Sequence, residues 1–153
     1  MKNDVKLIAL ILTVIAVISL CGCASVTNPA PASPEAEAAA GTYTFYALFM
    51  DDHYIGLEEF EGRTTTLNAD GGGALDWGDD NKGPISEWTI DGEKIVIKAG
   101  VSEMNATLKD GILIIDFSDE DMPMSTVFVK DEADTSSMPV ISVDEYSELI
   151  SAE

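Results

Sequence analysis

The chain has 153 residues and a formal net charge of −20, with 8 basic residues against 28 acidic ones. That length suits one domain plus attachments, and so negative a surface repels nucleic-acid phosphates and anionic headgroups while attracting cations and basic proteins. With a single histidine, a single arginine and both cysteines at positions 21 and 23, the usual nucleophile–base constellations are missing. No metal or cofactor is implied, and catalysis is not expected.

Lys2 and Lys6 open a positively charged start, and Leu7–Leu20 follows without a charge. The run is short for a membrane span, which needs ~20 residues, and suits the apolar core of a signal peptide. It closes on Leu20-Cys21-Gly22-Cys23. This ending resembles the lipobox of bacterial lipoproteins, with Leu20 three residues before Cys23 and Gly22 just before it. The resemblance implies that residues 1–22 are a lipoprotein signal peptide and that Cys23 becomes the lipidated N-terminus. The protein is then held on the extracytoplasmic face of a bacterial cell membrane. Residues 23–40 read as an extended tether, because Pro29, Pro31 and Pro34 alternate with Ala, Ser and Glu and no apolar period appears.

From Gly41 to Lys130 the pattern is that of an antiparallel meander. Asp70-Gly71, Asp91-Gly92 and Asp110-Gly111 each separate short runs rich in Thr, Val, Ile, Leu and Trp, and Asp-Gly suits the positive φ angles of hairpin tips. A two-residue turn at Asp110-Gly111 sets Leu108 against Leu113, Ala106 against Ile115 and Met104 against Phe117. A turn at Asp91-Gly92 sets Trp88 against Ile95. Strands are expected over 42–50, 63–68, 73–77, 84–90, 93–98, 104–109, 112–117 and 124–130. The segment Asp51–Gly62 interrupts them, with a short helical turn around Leu57 and Phe60. Gly41-Thr42-Tyr43, the run LNADGGGAL and the run WTIDGEKIVI resemble the small lipocalin-like domains carried by bacterial lipoproteins, with Tyr43 where lipocalins have Trp. The resemblance implies an all-β, eight-stranded antiparallel up-and-down barrel over 41–130, with 51–62 as a short lid.

Inside the barrel, Tyr43, Phe45, Phe49, Trp77, Trp88 and Phe117 are expected to point inward with Leu67, Leu75, Ile95, Leu108 and Leu113. Ile85, Val96, Ile112 and Ile114 are expected outward. So many rings fill a short barrel, leaving a small apolar opening beneath the lid, lined by Phe49, Ile55, Phe60, Trp77 and Trp88. His53 reads as a solvated loop residue. Residues 131–153 form an acidic tail. Ser142 and Glu145 make a capping box, with Val143, Tyr146, Leu149 and Ile150 on one face of a helix over 142–151. The functional expectation is a monomeric, membrane-anchored binding module for a small or apolar ligand. The alternative is an acidic surface that captures cationic proteins or peptides.

Overall fold

The computed structural model describes residues 32–78, 81–117 and 123–151. A helix α1 (Pro34–Ala39) leads into β1 (Gly41–Met50), β2 (His53–Ile55), β3 (Thr64–Leu67), β4 (Gly73–Asp76) and β5 (Lys82–Ile85). There follow β6 (Glu87–Asp91), β7 (Lys94–Ala99), β8 (Ser102–Lys109), β9 (Ile112–Asp116) and β10 (Met124–Val129). A short β11 (Val140–Ile141) and a helix α2 (Val143–Ser151) end the described chain. Nine strands pair in the order β5-β4-β3-β1-β10-β9-β8-β7-β6, a nearly closed antiparallel barrel, with β2 on the edge of β1 and β11 beside β2.

Turn chemistry sets most of the register. Asp110 (φ 51°) and Gly111 (φ 79°) both adopt left-handed backbone, the primed two-residue turn that suits right-twisted strands. It delivers the expected pairs Leu108–Leu113, Ala106–Ile115, Thr107–Ile114 and Asn105–Asp116. The β6–β7 turn differs. Asp91 pairs with Lys94, so the loop is Gly92-Glu93, and only Gly92 (φ 62°) is left-handed. Trp88 therefore faces Ile97 instead of Ile95. A displacement of two residues keeps every side chain on its expected face.

Two local irregularities overturn inward and outward expectations. In β1, Phe45 pairs with Phe128 and Ala47 with Val127, leaving Tyr46 as a bulge residue. A bulge resets the alternation of faces, so Tyr43 and Phe45 enter the core while Leu48, not Phe49, continues it. At Ser86 the expected 84–90 strand breaks into β5, which pairs with β4, and β6, which pairs with β7. The Ser86 N–H reaches the Lys98 carbonyl at 2.9 Å. This corner gives nine barrel strands where eight were expected. It also turns both Ile85 and Trp88 inward, correcting the outward assignment of Ile85.

The core is continuous. Tyr43, Leu67, Ile95, Ile97, Leu113, Ile115 and Phe128 are fully buried in one cluster. Behind the Ser86 corner, the Trp88 N–H bonds the Gly71 carbonyl at 2.6 Å and the Trp88 indole N–H bonds the Asn68 carbonyl at 2.9 Å. These two bonds stitch β6 to the β3–β4 loop. At Gly73 a Cβ would overlap the Thr66 carbonyl oxygen, so the strand approach there requires glycine.

Both flanks of the barrel hold more structure than expected. Residues 33–40 are not a tether. Ser33 accepts the Ala36 N–H at 3.0 Å as an N-cap, and Pro34 sits in the first turn, where its missing N–H costs nothing. Ala39 is buried in the core. The Tyr43 hydroxyl donates to the Ala39 carbonyl. The Lys130 ammonium donates to the carbonyls of Ala40 and Ala38 at 2.9 and 3.2 Å, the cation a helix C-terminus favours. On the outer face, β11 runs parallel to β2 and Gly56 N–H bonds the Ile141 carbonyl at 2.9 Å. The expected tail helix forms as α2. Glu145 accepts the Ser142 N–H at 2.8 Å while Ser142 Oγ accepts the Glu145 N–H at 3.2 Å. Tyr146 is its buried residue, and the Tyr146 hydroxyl donates to Asp51 at 2.6 Å. That carboxylate, with some burial, holds the Tyr146 hydroxyl above its usual pKa.

Candidate functional site: an apolar cleft at the barrel mouth

Because the 82–91 segment changes neighbours at Ser86, β5 has β4 on one side and a gap on the other. Across the gap lies the β7–β8 hairpin. A cleft of about 640 Å³ opens there, lined by Leu75, Trp77, Pro84, Ala99, Met104 and Phe117, with Asn81, Lys82 and Glu103 among its polar members. That volume is in the range of small-molecule sites, which are mostly apolar with a few placed polar groups.

Local structure fixes the walls. Trp77 follows β4, and its indole N–H donates to Thr65 Oγ1 at 2.9 Å, which explains a fully buried threonine in the barrel interior. The indole stacks on Phe128 with ring centroids 5.6 Å apart and meets Phe117 edge-on at 5.6 Å. Phe128 in turn touches Phe45 at 6.1 Å, and Phe45 touches Phe60 at 5.3 Å. A continuous run of rings therefore leads from the packed interior to Phe117, which remains 37 % exposed at the lip. Arg63 lies over the Phe60 ring at 3.6 Å, covering the far end of the run.

The five residues expected to line one opening fall in three places. Phe60 and Trp77 are joined through Phe45 and Phe128. Phe60 and Leu57 pack against the core, so the 51–62 segment closes the barrel there, and the large cleft lies at the β5–β7 gap instead. Trp88 is 4 % exposed, deep in the opposite end. Phe49 lies on the outer face against Tyr54, its cross-strand partner, with centroids 4.9 Å apart. Ile55 is buried where β2 meets β11. The Tyr46 bulge turns Phe49 outward, whereas Ile55 pairs with Leu48 and is buried outside the main core cluster. His53 is not a solvated loop residue: it opens β2 opposite Met50 and is half-buried, its Nδ1 2.6 Å from the Asp51 carbonyl oxygen and its ring 6.1 Å from Tyr146 of α2. Cys23 lies outside the described residues.

Met104, Phe117, Leu75 and Pro84 were missing from the expected lining. The Asp110-Gly111 register already set Met104 opposite Phe117, which was the available signal. The gap itself depends on the Ser86 corner, which no local pattern announces.

The opposite end is sealed. α1 lies across it, beside a recess of about 260 Å³ lined by Tyr43, Ile90, Leu108 and Lys130. Burial there pushes the Tyr43 hydroxyl up to about 12. No family model, curated protein or solved structure matches this chain.

Proposed function

We propose that this chain is a lipid-anchored extracytoplasmic binding module that takes a small apolar ligand at the barrel mouth and performs no catalysis. The observation that carries the reading is the aromatic-walled cleft of about 640 Å³ between β5 and the β7–β8 hairpin. Half-exposed rings held by hydrogen bonding and stacking provide a preformed apolar wall, which limits the ordering cost of binding. The lipobox-like Leu20-Cys21-Gly22-Cys23 supports the anchored placement. In a Trp88→Phe background, Trp77 reports on the cleft alone. Saturable quenching of Trp77 by members of a panel of small apolar compounds and fatty acids is expected, and a flat response across the panel would sink the reading. Cys23→Ala should release the protein from the membrane fraction, and unchanged retention with Cys21 intact would refute lipidation at Cys23.

A second reading keeps the net charge of −20 as the functional feature, with the acidic surface capturing cationic proteins. Its signature is partner binding that weakens steeply with salt.

A further inference from the structure

We infer that the cleft selects cationic amphiphiles, that is, small molecules with a flat apolar body and an ammonium group. The inference rests on the cleft being the binding site and adds the sign of the ligand's charge.

Three features of the wall argue for it. The first is the balance of side-chain charge. Lys82 and Glu103 are the charged residues lining the cleft. Lys82 is already paired with Asp76, Nζ to carboxylate oxygen at 3.1 Å. Glu103 stands opposite Lys98 in the β7–β8 register, but the Lys98 ammonium donates to Glu87 at 2.8 Å. Glu87, first by hydrogen bond and then by charge, holds the Lys98 pKa above its ordinary value, with a smaller push from the charge of Glu103. Among the described residues Glu103 makes no ion-pair contact, and although its charge also acts on Lys98 across the strand pair, that ammonium is bonded to Glu87, so the lining presents a carboxylate that is only partly offset.

The second is the backbone of β5. Pro84 has no N–H, so the hydrogen-bonded pairs with β4 are Gly83–Leu75 and Ile85–Gly73, and Lys82 and Pro84 direct their backbone groups to the other edge. Ser86 has the same parity, and its N–H does point that way, to the Lys98 carbonyl. The edge facing the gap thus carries more carbonyl acceptors than N–H donors. It suits a ligand that donates hydrogen bonds, and the missing donor at Pro84 disfavours a pairing strand.

The third is the aromatic wall. Phe117, perpendicular to Trp77 and 37 % exposed at the lip, offers an aromatic surface that attracts a cation as well as an apolar body. A chain of net charge −20 raises the local concentration of cations and lowers that of anions around all of this. Carboxylate, carbonyl edge, aromatic surface and overall field share one sign. An anionic amphiphile of the same shape meets none of them favourably.

The test uses three probes of one shape: 1-naphthylmethylammonium, 1-naphthalenemethanol and 1-naphthoate, each titrated calorimetrically into the protein at low and at high salt. The ammonium should bind at least tenfold tighter than the alcohol at low salt, with the naphthoate weakest. Glu103→Gln should reduce ammonium affinity about fivefold or more and leave the alcohol unchanged. High salt should narrow the gap between the two. Equal binding of ammonium and alcohol, or no effect of Glu103→Gln, overturns the charge selection while leaving the cleft as the binding site. Tighter binding of naphthoate overturns it as well. If none of the three binds and Trp77 does not respond to the wider apolar panel, both the selection and the site fail.

Discussion

The two ends of this barrel are built from the same strands and solve opposite problems. At the α1 end, Tyr43 and Trp88 are almost fully buried, and their polar atoms are spent on the backbone carbonyls of Ala39 and Asn68. At the other end Trp77 is anchored just as firmly, through Thr65, yet it forms the wall of a cleft and stands beside the exposed ring of Phe117. An aromatic residue does not by its nature fill a core. What decides is whether neighbouring strands continue past it. β6 is stitched to the β3–β4 loop over Trp88, whereas β5 has no partner strand over Trp77 and Phe117.

The largest way to break that contrast is Trp88→Ala. Removing a buried indole should cost ~3–5 kcal/mol, read as a fall in the denaturant midpoint, while leaving ligand response at Trp77 intact in whatever fraction remains folded. A loss under ~1 kcal/mol would mean the sealed end is not tightly packed.

The next effect is alkaline. Tyr43 ionises near 10 in the unfolded chain and at about 12 in the folded one. Below pH 10 both states hold the proton and the group contributes no slope. Between about pH 10 and 12 the native state binds more protons than the unfolded state, so stability falls as pH rises, by up to ~1.4 kcal/mol per pH unit. The other tyrosines also titrate there, so the quantity to measure is the difference in slope between wild type and Tyr43→Phe. Identical slopes would place Tyr43 in contact with solvent.

Lys130→Met should cost ~1 kcal/mol, because it removes two charge-assisted bonds from a partly exposed site. Faster amide exchange at Ala39 and Ala40, with the barrel strands unaffected, should accompany it. Exchange rates that stay as in wild type would show that Tyr43 and Ala39 alone hold α1 in place.

The smallest effect on stability should come from Phe117→Ala at the lip, ~1 kcal/mol or less, because its ring is already partly solvated. Its effect on binding should be far larger, abolishing quenching of Trp77 by apolar compounds. A variant that loses several kcal/mol and still binds would reverse the assignment of the two ends.

How much of this was legible in the chain depends on how local the cause is. Asp110-Gly111 carries its own backbone preference, so the β8–β9 register could be read residue by residue. Gly92 was read correctly as a turn, but whether the loop began at Asp91 or at Gly92 was not encoded by the dipeptide. The Tyr46 bulge was hidden because Tyr43, Phe45, Ala47 and Phe49 alternate as an unbroken strand would. Its trace lies on the partner, where Thr126, Val127 and Phe128 are buried consecutively. For α1 the sequence held a usable signal, Ser33-Pro34 followed by Glu35 and Glu37 in the first turn, which the prolines disguised as a tether. The β2–β11 pair joins residues far apart in sequence through two-residue contacts, too short for any periodicity. The mouth cleft was the least legible feature, since a missing neighbour leaves no pattern in the strand that lacks it.

The way the described chain enters the barrel also has a mechanical meaning. Residues 32–40 lead directly into Gly41, the first residue of β1, and β1 is hydrogen-bonded along one edge to β10 and along the other to β3 and then β2. A pull transmitted through the N-terminal side in line with β1 loads those antiparallel ladders in shear, so the bonds share the force instead of opening one at a time. Before that happens α1 must be stripped from Tyr43 and Lys130, a small sacrificial element ahead of the strand.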